Sequence, residues 1–389
     1  MFVRGRLSRF LGVNMSKALF VVLICLFRSP IADAKVLGEA TAMQSGFQIE
    51  QVAQGKGVIW GMSFLNPNDL LFTTRNGSVG IASIRTGHVY WLKNLPSVYA
   101  QGQGGLLDVA IPPNYSTERW TYFTYVKDLQ GKGVTALAKA KLTKPKDALT
   151  QWQDVFVTDS ATNTSRHFGS RIAFDADGHV FFTVGDRGVR PSAQDLKNHN
   201  GTVIRLNLDG SVPHDNPFVG KAPARAEIWS YGHRNPQGIV YDAKHNRLWA
   251  IEHGPRGGDE INLVQKGRNY GWPEISYGKE YWGPKNVADA THKDGMEQPH
   301  KVYTPSIAPG SLMLYQGQAF PLWKDSLFAG ALKLRHINRV GVSLDGTLIS
   351  EERLLEGLNE RIRALTEGPD GFIYFSTDTG KIYRLKPSQ

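Results

Sequence analysis

The sequence predicts an all-β fold, a six-bladed β-propeller of four-stranded antiparallel blades. Three observations predict it. One short pattern recurs six times: an apolar run, a turn with Asp, Asn or Gly, then a second β-rich run. Gly (41) and Pro (20) are plentiful without a collagen-like period, and Trp, Tyr and Phe are numerous, which suits tight turns and strands rather than long helices. No long stretch has helical period. A pair of β-sandwiches is the competing architecture, but it does not explain six similar hairpin units.

The chain opens with a leader. Arg4, Arg6, Arg9 and Lys17 precede an apolar run from Ala18 to Phe27, and Ala32-Asp33-Ala34 offers a small-x-small cleavage site before Lys35. This predicts a secretory signal peptide over 1–34 and a periplasmic or secreted protein, with a start at Met15 as an alternative to Met1. The apolar run is about half the ~20 residues a membrane span needs, so no membrane insertion is expected once the leader is cleaved. Cys25, the only cysteine, falls within the leader, and residues 35–389 therefore have neither disulfides nor thiol-based metal sites. The leader carries five basic residues (Arg4, Arg6, Arg9, Lys17, Arg28) and one acid (Asp33), which leaves +6 of the formal +10 on the remainder. A mild positive excess suits an anionic ligand or simple solubility. With no Lys/Arg run, nothing argues for nucleic acid.

The repeating units begin at "GMSFLNPNDLLFTTRNGSVGIAS" (from Gly61), "LLDVAIPPNYSTERWTYFTYV" (Leu106), "RIAFDADGHVFFTVGD" (Arg171), "GIVYDAKHNRLWAIEHG" (Gly238), "LYQGQAFPLWKDSLFAGAL" (Leu314) and "RALTEGPDGFIYFSTDTGKIYRL" (Arg363). Alternation such as Phe181-Phe182-Thr183-Val184 has the period of two that strands require. Linkers and low-complexity tracts are absent after residue 40, so 35–389 reads as one domain.

Unusual polar groups stand next to these strands. His167 lies just upstream of one strand and Asp186 at the end of its hairpin partner. A hairpin brings such positions together, and a carboxylate beside an imidazole fixes its tautomer. The same pattern also fits a structural loop histidine near a turn aspartate. Arg234 and Asn235 precede another strand, where Arg can offer a planar fork of donors. Arg361 and Arg363 share one face of a strand opening and invite an anion between them, and Lys333 ends another strand. A turn with an exposed arginine also accounts for Arg234 and Asn235, and surface charge for Arg361, Arg363 and Lys333. In "EHGPRGGDE" (252–260) the Gly254-Pro255 backbone can present carbonyl oxygens to a hard cation, with Asp259 and Glu260 adding carboxylates. The stretch also fits a glycine-rich turn with acids in solvent.

Taken together, "QGQGGLLDVAIPP", "HFGSRIAFD", "AEIWSYGHRNPQG", "EHGPRGGDEINLVQKGRNYGWP" and "GALK…RIR" resemble the soluble PQQ-dependent glucose/sorbosone dehydrogenases, in particular their periplasmic aldose sugar dehydrogenase branch. The resemblance runs from about Val58 to Leu385 and implies a six-bladed propeller. It implies His167 as catalytic base, Asp186 as its carboxylate partner and Arg234 beside the reacting quinone. It implies cofactor contacts at Gln103, Arg234, Asn235, Tyr281, Lys333, Arg361 and Arg363, and a calcium bound by the carbonyls of Gly254 and Pro255. Glu260 and Tyr270 match a second calcium site, while His253 stands where some relatives carry Gln. The implied activity is oxidation of an aldose at its C1 hydroxyl, with PQQ and Ca2+ as cofactors and an external electron acceptor as partner. Two other functions remain open: a calcium-dependent propeller lactonase or other hydrolase, and a non-catalytic sugar-binding propeller.

Overall fold

The computed structural model describes residues 35–36 and 46–388, all within one unit of the chain, 32–389. The expected signal peptide lies outside the described residues. Each recurring hairpin unit becomes one antiparallel sheet. Blade 1 is Ile59–Phe64, Asp69–Thr74, Val79–Ser83 and Val89–Trp91, and blade 2 is Leu106–Ala110, Thr121–Leu129, Lys132–Leu142 and Leu149–Val157. Blade 3 is Ile172–Phe174, His179–Val184, Thr202–Asn207 and Ile228–Tyr231. Blade 4 is Pro236–Asp242, Arg247–Glu252, Asp259–Val264 and Lys301–Tyr303. Blade 5 is Pro309–Tyr315, Ser326–Ala331, Ile337–Val342 and Leu348–Leu354. Blade 6 is Ile362–Glu367, Ile373–Thr377 and Lys381–Pro387, completed from the other end of the chain by Phe47–Gln54. That closure precedes the first recurring unit in sequence and is not visible in the repeat. Blade 5 also carries a fifth strand, Lys35–Val36, paired with Leu348–Leu354.

The first strands of the blades touch in ring order, 1 through 6 and back to 1, around a central axis. Six apolar clusters fill the wedges between successive blades. Because a blade is covered on both faces, its inner strands are buried almost throughout, as in Val79–Ser83 and Ser326–Ala331, rather than on alternate residues. Among the described residues no helix is long and apolar enough to cross a membrane, and the one α-helix is Tyr115–Glu118.

The axis is organised by β-bulges. The first strands of blades 1, 2, 4, 5 and 6 each shift register near their start, between Ile59/Gly61, Leu106/Val109, Pro236/Gly238, Pro309/Ser311 and Ile362/Ala364. A bulge takes one residue out of the ladder and frees its carbonyl. Arg171, at the start of blade 3, collects what is freed. Its Nε donates to Gln237 O (2.9 Å) and its Nη1 to Trp60 O (2.9 Å) and Asp108 Oδ1 (3.0 Å). Nη2 donates to Arg363 O at 3.0 Å and to Gly310 O. A guanidinium has five N–H donors, and here each meets an acceptor from a different blade. Arg171 and Asp108 are both buried; burial pushes the arginine down and the carboxyl up, and each resists the other's shift.

Candidate active site

In an antiparallel hairpin the start of the first strand lies beside the end of the second, so in a ring of blades all these points share one face. His167, Arg234, Asn235 and Arg361 precede first strands, whereas Asp186, His253, Gly254 and Asp378 follow second strands. One end of the propeller therefore gathers residues more than two hundred positions apart.

His167 Nδ1 lies 2.6 Å from Asp186 Oδ1. Asp186 also accepts Gly188 N–H at 2.7 Å and Trp272 Nε1–H at 2.8 Å. Burial pushes the Asp186 carboxyl up, but the His167 contact and the Gly188 donor hold it below the usual carboxylate range. An ionised carboxylate only accepts, so Nδ1 carries the proton and Nε2 is left as a lone pair. Burial also lowers the imidazole's affinity for a second proton, with Arg234 acting in the same direction and Asp186 opposing. The loop is held in place by its backbone. His167 sits in the left-handed region at φ 55°, and its N–H donates to Gln103 Oε1 at 2.7 Å. Gly185 permits the approach of the Asp186 strand, since a Cβ there would lie 2.3 Å from His167 O. Arg187, fully buried, ties the loop down by donating to the carbonyls of Gly133, Ser160, Thr164 and Arg166.

Arg234 is fixed at both ends. Its N–H donates to Glu252 Oε2 at 2.6 Å, Nη1 donates to His253 O at 2.8 Å, and the guanidinium lies 5.3 Å from the Trp272 ring centroid. Glu252 is oriented in turn by His233, whose Nδ1 is 2.9 Å from Oε1. Asn235 Oδ1 accepts Gly169 N–H at 3.2 Å. His253 Nε2 lies 2.6 Å from Pro309 O, which fixes its proton there, and burial holds its pKa down at about 3. It is a neutral group among cations.

The anion between Arg361 and Arg363 is Asp378. Arg361 Nε donates to Oδ2 at 2.7 Å, and Arg363 donates to both oxygens at 2.8 and 3.0 Å. Arg363 also lies 4.4 Å from the Trp60 ring centroid. An open cavity of about 600 Å³ is lined by Gln103, Asn235, His253, Arg75, Arg361 and Arg363, with Trp60 and Phe168 among its walls. A second, of about 400 Å³, is lined by His167, Asp186, Arg234 and Trp272 together with Arg166, Arg190, Tyr281 and Trp282. Three expected cofactor contacts do not line the first cavity: Arg234, which lines the second, Lys333 and Tyr281. Leu332 lines the first cavity, and its neighbour Lys333 is exposed, its backbone N–H held by Ile307 O. Tyr281, 63% exposed, lines the His167 cavity instead.

The 252–260 stretch folds back on itself. Gly254 is required because a Cβ there would lie 1.5 Å from Gly258 O. Gly254, Pro255, Glu252, Glu260 and Tyr270 border a third, smaller cavity together with Arg234. Glu260 faces Glu252 across the strand pair, and burial followed by the Glu252 charge raises its pKa well above the usual range. Burial raises Asp259 to about 6. Such carboxylates favour either a proton or a cation. Among the described residues no three His, Cys, Asp or Glu side chains converge on a metal-sized point. A cation here would therefore rest on main-chain carbonyls and isolated carboxylates. Pro255 O already accepts from Gly258 N–H (3.1 Å) and Ser306 Oγ (3.0 Å). The Tyr270 hydroxyl is committed to Leu263 O and Gln265 N–H and its main-chain N–H to Tyr231 O, which leaves its main-chain carbonyl.

Sequence reasoning missed Trp272, Asp378, Glu252 and Arg187. Asp378 was within reach, since it stands to Arg361 and Arg363 as Asp186 stands to His167, at the end of the partner strand. Trp272 carried no local signal, because its partner Asp186 is 86 residues away.

A family profile described as Glucose / Sorbosone dehydrogenase matches residues 57–384. The chain is 40% identical over 336 residues to the aldose sugar dehydrogenase YliI of Escherichia coli (strain K12), covering 84% of this chain and 90% of that protein. The apo form of the soluble aldose sugar dehydrogenase from Escherichia coli superimposes with a TM-score of 0.84 at 37% identity, over 88% of this chain and 99% of that one. The PQQ-bound form of aldose sugar dehydrogenase from Streptomyces coelicolor superimposes with a TM-score of 0.73 at 25% identity, over 89% of this chain and 99% of that one. With a matching profile across most of its length and a relative at this identity, the chain belongs to the glucose/sorbosone dehydrogenase family, a family of oxidoreductases.

Proposed function

We propose that this protein oxidises aldoses at the C1 hydroxyl to the lactone, using PQQ and calcium, and passes the electrons to an external acceptor. The observation that carries the reading is the His167–Asp186 pair, with Nε2 free, beside a cavity walled by arginines. That cavity suits a flat tricarboxylate. Arg75 and the Arg361–Arg363 pair, which the single carboxylate of Asp378 only half neutralises, supply charge, Gln103 and Asn235 supply amides, and Trp60 offers a buried Nε1–H with no partner. The loop at Gly254 fits calcium through the Gly254 carbonyl and the Glu260 carboxylate, while Pro255 would have to give up its present hydrogen bonds. When bound, PQQ supplies the hydride acceptor for C1–H and calcium supplies a Lewis acid at its quinone oxygen.

The protein's own part is positioning and proton transfer. His167 Nε2 takes the C1 hydroxyl proton, and Asp186 stabilises the resulting imidazolium without itself being protonated. Arg234, held rigid by Glu252, His253 and Trp272, presents a fixed positive charge where negative charge grows. We also propose that residues 1–34 direct export and that 35–389 form the mature domain. The working test is to add PQQ and calcium to purified protein, record the visible spectrum and assay dye reduction with an aldose. Uptake of PQQ and calcium-dependent dye reduction are expected. Lactone hydrolysis without PQQ would favour the hydrolase reading, and sugar binding with no turnover would favour the binding propeller.

The acid limb of the pH profile should report His167. A base with a lowered pKa stays neutral to lower pH, so kcat/KM should hold below pH 6.5, the usual imidazole value. Trp272→Phe removes one donor from Asp186 and leaves its charge freer to stabilise the imidazolium. The acid limb should therefore move to higher pH. An unmoved limb would show that Trp272 does not act through this pair.

A further inference from the structure

We propose that the cavity over His167 selects aldoses bearing an anionic substituent, a carboxylate or a phosphate, and that Arg166 recognises it. The inference rests on the aldose dehydrogenase reading and names the substrate class of the same site. Three guanidiniums line this cavity, those of Arg166, Arg190 and Arg234. Arg190 is neutralised by Glu280 through two bonds of 2.6 and 2.8 Å. Arg234 is bound to His253 O and packed on Trp272. The Arg166 side chain has no hydrogen bond or ion pair with any described residue, although it directly precedes His167 and is exposed. It lies against the loop that carries Asp186, since a Cβ on Gly188 would fall 2.6 Å from Arg166 Nε.

The cavity's only lining carboxylate, Asp186, already holds three partners, His167, Gly188 and Trp272. Apart from Asp186, His167 Nε2 and the Tyr281 phenol, the polar side chains lining the cavity have only donors to offer. A neutral hexose presents hydroxyls that need acceptors as well as donors, and this wall meets only half of that need. A carboxylate or phosphate accepts only, and a guanidinium fork matches it in charge and geometry.

The test uses protein loaded with PQQ and calcium and measures kcat/KM for glucose, glucuronate and glucose 6-phosphate at low and high ionic strength. At least one anionic aldose should exceed glucose by about tenfold, and salt should shrink the gap because Arg166 is exposed. Arg166→Gln should bring the anionic-to-neutral ratio near one, while Arg166→Lys should keep part of it. Whichever acid gains identifies the group recognised. A wild-type preference for glucose over both acids, or a ratio that Arg166→Gln leaves unchanged, would overturn the proposal. Calorimetric titration of both acids separates this failure from that of the parent reading. Arg166-dependent binding without turnover would sink the dehydrogenase assignment and leave anion recognition standing, and absence of both would end the two together.

Discussion

His167→Asn is expected to yield a folded protein that still takes up PQQ but turns over an aldose about 10²–10⁴ times more slowly, the usual contribution of a positioned general base. Asn is the better probe because His167 sits in the left-handed region, which Asn tolerates more readily than most side chains. The loss should appear in kcat, because the base acts on a proton in flight rather than on ground-state binding. Asp186→Asn should show a related loss, since an amide can present the wrong group to Nδ1 and so favour the wrong tautomer. Near-normal turnover in His167→Asn would remove His167 from the chemistry, however well its geometry suits the part.

The largest effect on stability is expected at Arg171. Arg171→Leu would leave Asp108 buried without its cation and would strip donors from four main-chain carbonyls at the propeller axis. Breaking a buried ion pair on one side costs about 3–5 kcal/mol, and each stranded carbonyl adds to it. For a domain of this size that should lower Tm by about 10 °C or more, a large share of the ~5–15 kcal/mol by which proteins are stable. Thermal unfolding followed by circular dichroism provides the check. A fall of about 2 °C or less would mean that water replaces the guanidinium at little cost. Arg171→Leu combined with Asp108→Leu should recover part of the loss, because it removes the stranded charge along with its partner.

The hairpin units and the family motifs were legible because both are local. A strand records its period of two within a few residues, and a turn declares itself in Asp, Asn or Gly. The hairpin rule was enough to place His167 beside Asp186, and applied once more it would have found Asp378 between Arg361 and Arg363. It could not reach Trp272, whose indole arrives from the long excursion after the third strand of blade 4. Nor could it show that Leu332, next to Lys333, lines the cavity beside Arg361, which depends on blades 5 and 6 packing together.

From the sequence alone came six antiparallel sheets, a polar edge shared by their strand ends, and a set of cations and carboxylates along that edge. Ring closure decided the rest. Phe47–Gln54 joins the last blade, the five bulged strands turn four backbone oxygens and the Asp108 carboxylate inward, and Arg171 meets them from the sixth direction. Those contacts span up to 192 residues of chain. Each acceptor depends on a different blade reaching its place, so no local pattern could encode the axis, and only the closed ring brings its parts within hydrogen-bonding distance.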